Sequence, residues 1–190
     1  MRQTTMLIVC VLVLAFCTGS ALAATTYPDT LKVNYFINAN TAGAPVAVVQ
    51  LVNTGLSGGN LCADVFVYDP SEEIQECCSC LISPNDLRTL SVNVDLTANT
   101  LTHTNVTTGS IFIVSAKTSG GSCPLPTSAI TPAAGTRAWG THIQTGNQIT
   151  ETDFQDETLG SAELGVLEND CFAINIAGSG SGQCTCGTGD

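Results

Sequence analysis

Basic residues are scarce in this 190-residue sequence, with five Lys and Arg against sixteen Asp and Glu. Nucleic-acid binding needs a basic face to meet phosphates, so the charge balance excludes it. An anionic membrane surface is disfavoured for the same reason. Aromatic residues make up 5% of the chain, with a single Trp, so few rings are present to stack sugars. That weakens a reading of the carboxylates as a glycoside-hydrolysing pair. His103 and His142 are the two histidines, and neither H-x-x-x-H nor H-E-x-x-H occurs. A histidine zinc site is therefore not expected. No G-x-S-x-G elbow presents a nucleophilic serine. Charged residues are only 11% while apolar residues are 44%, which is not the composition of a disordered chain.

Long apolar runs are also missing, apart from one near the start. Met1-Arg2-Gln3 carries one positive charge, and Met6 to Phe16 is apolar. Ala21-Leu22-Ala23 supplies the small-x-small cleavage pattern. That order predicts a secretory signal peptide over residues 1–23. The run is shorter than the roughly 20 residues that span a bilayer. Phe16 precedes Cys17, which speaks against a lipid anchor there. The mature chain is then residues 24–190, expected as a single secreted domain that leaves the membrane after cleavage. Lys32, Arg88, Lys117 and Arg137 are its four basic residues against sixteen acidic ones, a net of −12.

What the chain does have is cysteine. Eight follow the signal segment: Cys62, Cys77, Cys78, Cys80, Cys123, Cys171, Cys184 and Cys186. An even number in an exported protein predicts disulfides. Residues two apart on a strand share a face. Cys78 and Cys80 then point one way and Cys77 the other. The pair Cys184 and Cys186 has the same spacing. Two parallel bridges between the C-x-C pairs are expected, with Cys77 joined to Cys62, Cys123 or Cys171. A four-thiolate metal site from the same pairs is the alternative, although structural zinc sites use wider C-x₂₋₄-C spacing.

Thr, Val, Asn and Gly are abundant, as in strands joined by turns. Period-two patterning predicts seven strands. They are Leu31–Ile37, Val46–Val52, Leu61–Tyr68, Cys77–Ile82, Leu90–Leu96, Ile111–Val114 and Arg137–Gln144. Leu90–Leu96 alternates most regularly, and the fully apolar Ile111–Val114 reads as central. Residues 24–29 read as a polar arm, Thr97–Ser110 and Ser119–Gly135 as loops, and Glu151–Glu157 as an acidic turn. The segment 159–190 is expected to form a helix and tail. Ser161 suits an N-cap and Glu163 the first turn. Leu164, Leu167, Cys171 and Ile174 fall at helical spacing. The predicted fold is a mainly antiparallel, immunoglobulin-like β-sandwich with one short C-terminal helix and a disulfide-tied tail.

Other candidate sites are sparser. The acidic residues Glu151, Asp153, Asp156 and Glu157 offer oxygen ligands for Ca²⁺, as do Asp69, Glu72 and Glu73, but neither set has the EF-hand pattern. Solvated turns are the expected state. Asn105-Val106-Thr107 is a glycosylation sequon. His142 is read as a histidine on the strand surface and His103 as an exposed loop histidine.

Several motifs carry a resemblance. Cys62-Ala63-Asp64, Tyr68-Asp69-Pro70, Gln75-Glu76-Cys77-Cys78-Ser79-Cys80 and Pro84-Asn85-Asp86-Leu87-Arg88-Thr89-Leu90 resemble a group of uncharacterised exported, cysteine-rich proteins of Acidobacteria. Glu151-Thr152-Asp153-Phe154, Ala162-Glu163-Leu164, Gly178-Ser179-Gly180 and Cys184-Thr185-Cys186 are similar too. The resemblance implies a bacterial exported protein and no catalytic residue.

The expectation is a non-enzymatic extracellular structural or adhesive protein without a cofactor. Its expected partner is another copy of itself, as in a surface filament built by strand addition from Leu31–Ile37 or the arm before it. A ligand- or metal-binding module using the C-x-C pairs is the alternative. A secreted hydrolase acting through His142 stands third.

Overall fold

The computed structural model describes residues 24–176 and 180–187. The expected signal segment, residues 1–23, and part of the glycine-rich tether lie outside the described residues. Among the described residues, nine strands form two antiparallel sheets. They are β1 (Thr26–Phe36), β2 (Val48–Asn53), β3 (Leu61–Tyr68), β4 (Ile74–Ile82), β5 (Leu87–Ser91), β6 (Gly109–Lys117), β7 (Thr136–Gln144), β8 (Gln148–Asp153) and β9 (Gln155–Gly160). The larger sheet has the order β4-β3-β6-β1-β9 and the smaller β5-β2-β7-β8. One α-helix among the described residues, α1 (Ser161–Ile176), follows β9.

Alternation along β3 divides its side chains between two cores. Ala63, Val65 and Val67 point between the sheets, where they meet Val49, Leu51 and Leu90. Phe66 points outward to a second core under α1, with Leu31, Cys77 and Val114. Strand β6 is apolar throughout its middle because both faces are covered. Ile111 and Ile113 enter the inter-sheet core, and Val114 enters the outer one. Each fully buried aliphatic side chain of this kind contributes about 2 kcal/mol. Leu164, Leu167, Cys171 and Ile174 are the buried stripe of α1, at the spacing read from the sequence. Ser161 is the first helical residue, and its N–H donates to Thr25 O at 2.9 Å.

Three expectations are corrected. Residues 26–29 of the predicted arm are the start of β1. Thr26 and Tyr27 pair with Gly160 and Leu159 of β9, so their backbone groups are satisfied within the chain. Leu31–Phe36 pairs with β6 on its other side, which makes β1 an interior strand.

The alternation from Leu90 to Leu96 does not continue as a strand. After Ser91 the chain makes a π-helical turn, Val92–Leu96. Local side chains take over the backbone bonds. Ser91 Oγ accepts from Val94 N, Asp95 Oδ2 accepts from Ser91 N, and Thr97 Oγ1 donates to Val92 O.

The acidic turn Glu151–Glu157 is instead the junction of β8 and β9, which raises the strand count from seven to nine. Both strands lie at sheet edges and are almost wholly exposed, so no alternation marks them. Between them, buried Phe154 enters the inter-sheet core, and its N–H bonds Ala138 O at 2.9 Å. The chain passes from the small sheet to the large one at that residue.

Candidate functional site

All eight cysteines of the described chain are in bridges. Cys78–Cys184 and Cys80–Cys186 join the two C-x-C pairs, Cys77–Cys171 ties β4 to α1, and Cys62–Cys123 holds the loop after β6 against β3. The faces follow the pattern of the strand. Cys78 and Cys80 lie in the inter-sheet core and Cys77 in the core under the helix. The sulfurs of Cys78, Cys80 and Cys186 lie within 4.8 Å of one another. As disulfides they carry no thiolate to offer a metal.

The tail closes the seam between the two sheets. On the β4 side, Cys77 N donates to Gly182 O at 2.9 Å and Cys184 N to Cys77 O at 3.2 Å. On the other side, Thr185 N donates to Asp95 O at 2.9 Å, and Arg88 Nη1 to Cys186 O at 3.0 Å. Asn99 holds the strap from above, donating through Nδ2 to Gly180 O and Gln183 O. Gly187 has φ +65°, and a Cβ there would stand 2.8 Å from Thr89 O. The strap thus runs along the β4 and β5 side of the sandwich. On the opposite side β8 and β9 are edge strands with no further strand partner among the described residues.

His142 is buried, not on the strand surface. Thr136, Ala138, Gly140 and His142 are covered along one face of β7, and Ile143 beside them is buried as well. The imidazole stacks on Tyr35 with centroids 4.2 Å apart, and Nε2 lies 2.6 Å from Thr152 Oγ1. Burial lowers its pKa and favours the neutral ring. Nδ1 has no partner among the described residues. The carboxylate that orients a catalytic histidine is therefore not in place. His103 is exposed in its loop, and Asn105 is exposed beside it.

The acidic runs resolve into separate roles. Asp156 pairs with Lys32 at 2.7 Å and with Arg137 at 2.5 Å, and Asp29 joins the same network. Asp69 Oδ1 accepts from Ser71 N and Glu73 N, fixing the turn after β3. Among the described residues, carboxylates do not gather three ligand atoms within 4.8 Å of one another, as a Ca²⁺ site would require.

Two acidic residues missed by sequence reading are deeply buried. Asp64 on β3 accepts a short hydrogen bond from Ser79 Oγ. Desolvation pushes its pKa up to about 7; the Ser79 bond opposes the shift and Glu168 adds to it. Glu76 on β4 is raised to about 7 by burial, against the opposing bond from the Asn99 backbone. Alternation on β3 does place Asp64 on the face of Phe66, the one signal that could have found it.

Two depressions lie on the outer face of the larger sheet. One, of about 150 Å³, lies between Asp64, Ser79 and the loop from Lys117 to Thr131. The other is larger, about 460 Å³, and opens where α1 crosses the end of β3. Tyr68, Phe112, Val166 and Leu167 line it together with Asp69, Glu72, Glu163 and Asp170. Comparison with protein-family models, curated proteins and solved structures finds no match for this chain.

Proposed function

We propose that the chain is a non-enzymatic extracellular module of structural or adhesive kind, of the exported bacterial group its motifs resemble. The tail that bridges the sheet seam through two parallel disulfides carries this reading. Four disulfides suit an oxidising compartment, and among the described residues no helix is long and apolar enough to cross a membrane. We read the sandwich as an elaborated immunoglobulin-like one, with β8 and β9 added to a seven-strand pattern. Two packed antiparallel sheets support that reading.

Assembly by strand addition takes a different form from the one the sequence suggested. Strand β1 is paired on both sides and is not a free donor. The open edge at β8 and β9 is the acceptor. Glu151, Asp153 and Glu157 make that edge acidic and exposed, so two identical edges repel each other. Negative staining of the secreted protein and of native cells tests the filament version. Surface assemblies are expected. Monodisperse particles at high concentration, with bare cells, overturn it.

A second reading, metal binding by the C-x-C pairs, is favoured by the close sulfurs of Cys78, Cys80 and Cys186. It requires free thiols. Thiol titration of the native protein is expected to find none, and titratable thiols with bound metal would reverse the order of the two readings.

A further inference from the structure

We propose that the groove between α1 and the end of β3 binds an organic cation, an alkylammonium group carried on an apolar body. This goes beyond the structural reading and does not depend on it. The cavity itself is the starting point. Its 460 Å³ lies within the size range of small-molecule sites. Tyr68 and Phe112 form an aromatic wall, with ring centroids 5.6 Å apart and planes at 77°. Leu167 is buried in the floor, while Val166 is 56% exposed beside it. Such a surface suits an apolar ligand body.

The charges decide what that body carries. Asp69 and Glu72 come from the turn after β3, and Glu163 and Asp170 from one face of α1. No Lys or Arg lines the groove. The carboxylates of Glu72 and Glu163 make no ion pair or hydrogen bond among the described residues, so their charge is uncompensated. Glu72 sits in that turn with φ +66°. An anion would be repelled by this rim, and a neutral ligand would leave it unused.

The four carboxylates stand around an apolar wall without converging on a point. A hard metal ion needs converging oxygens. A bulky organic cation needs a negative rim and an aromatic face, which attracts cations through its quadrupole. Tyr68 is pre-set for this role. Its Oη donates to Asp170 Oδ2 at 2.9 Å, which fixes the ring and increases electron density on its face. Burial and Asp170 together raise the pKa of Tyr68, so the phenol keeps its proton.

Calorimetric titration of the mature protein with benzyltrimethylammonium chloride, in about 150 mM NaCl, tests the proposal. Benzyl alcohol serves as the neutral counterpart. Saturable binding of the cation alone is expected. Glu163→Gln and Asp170→Asn should each weaken it about tenfold, since the amide in D170N still accepts from Tyr68. Because the whole protein is acidic, the double variant E151Q/D153N on β8 controls for general attraction and should bind as the parent does. Equal binding of the alcohol, no binding at this salt, or an equal loss in the β8 variant would overturn the proposal. Melting curves of each variant confirm that the groove is folded when it is titrated.

Discussion

Glu76 Oε1 accepts the backbone N–H of Asn99 at 2.7 Å, while Oε2 meets no donor among the described residues. A buried carboxyl in this position is stable only when protonated. Asp64 shares the condition, and both fold with pKa values of about 7, raised from 4.5 and 3.8. The unfolded chain releases these protons first. Stability therefore falls as pH rises from about 4 through 7. His142 and Asp29 act in the opposite sense, because their pKa values are lowered on folding. The His142 contribution is lost as pH falls below 6.5, and that of Asp29 below 3.8. Thermal melts should show a higher midpoint at pH 5 than at pH 8. Glu76→Gln and Asp64→Asn should each flatten that slope, and an unchanged slope in both would refute the assignment.

Bridges Cys78–Cys184 and Cys80–Cys186 each span 106 residues and lie side by side. Once one is closed, the other closes only a very short additional loop. The entropy argument for disulfides then predicts strong non-additivity. Replacing either pair by serine should cost little, about 1 kcal/mol. Replacing both should cost about 3 kcal/mol, since Cys77–Cys171 still closes the long loop and only the short stretch between Cys171 and Cys184 is released. Denaturant melts under oxidising conditions measure the difference. Equal and additive losses would count against the loop argument.

Lys32 is 1% exposed and bonded to Asp29 at 2.9 Å and Asp156 at 2.7 Å. Its two partners are partly exposed and also bond Arg137. Removing the ammonium by Lys32→Met leaves carboxylates that still have water and Arg137. Removing both carboxylates by D29N/D156N strands a buried charge. The double variant should therefore lose about 3–5 kcal/mol and the methionine variant about 1–2 kcal/mol. Urea titrations that gave the reverse order would disprove this reading.

Gly109 opens β6, pairing with Phe36 of β1 next to the Tyr68–Ser110 pair of β3 and β6. A Cβ there would stand 2.2 Å from Tyr68 O and 2.8 Å from the ring of Phe36. The backbone oxygen cannot move without breaking the β3–β6 ladder. Gly109→Ala should cost about 3 kcal/mol or more, whereas Gly59→Ala meets nothing within 4 Å and should melt near the parent midpoint.

Much of this fold was legible where one face of an element meets the core. The alternation of Leu61–Tyr68 separates Ala63, Val65 and Val67 from Phe66, and the C-x-C spacing paired Cys78 and Cys80 with the tail. The misreadings have physical causes. Val92–Leu96 alternates like a strand, but Ser91, Asp95 and Thr97 capture its backbone. β8 and β9 are exposed edge strands, so no burial selects their residues and no period appears. His142 was placed wrongly because β7 covers its other face. The groove at Tyr68 joins β3 to α1 about a hundred positions later, and sequence spacing cannot show that contact.

The strap of residues 180–187 also sets how the chain would carry tension. A pull between β1 and the strap runs along the backbone only as far as Cys78, then crosses by Cys78–Cys184. The 106-residue loop that this bridge spans, with β5 to β9 and α1 inside it, is shunted out of the load path. Were the bridge intact and the sheets torn apart, that loop would add nothing to the extended length. Each of its residues would otherwise lengthen the chain by about 3.5 Å. Residues 26–78 stay in the path, so the covalent layout shortens the extended domain rather than locking its length once its hydrogen bonds fail.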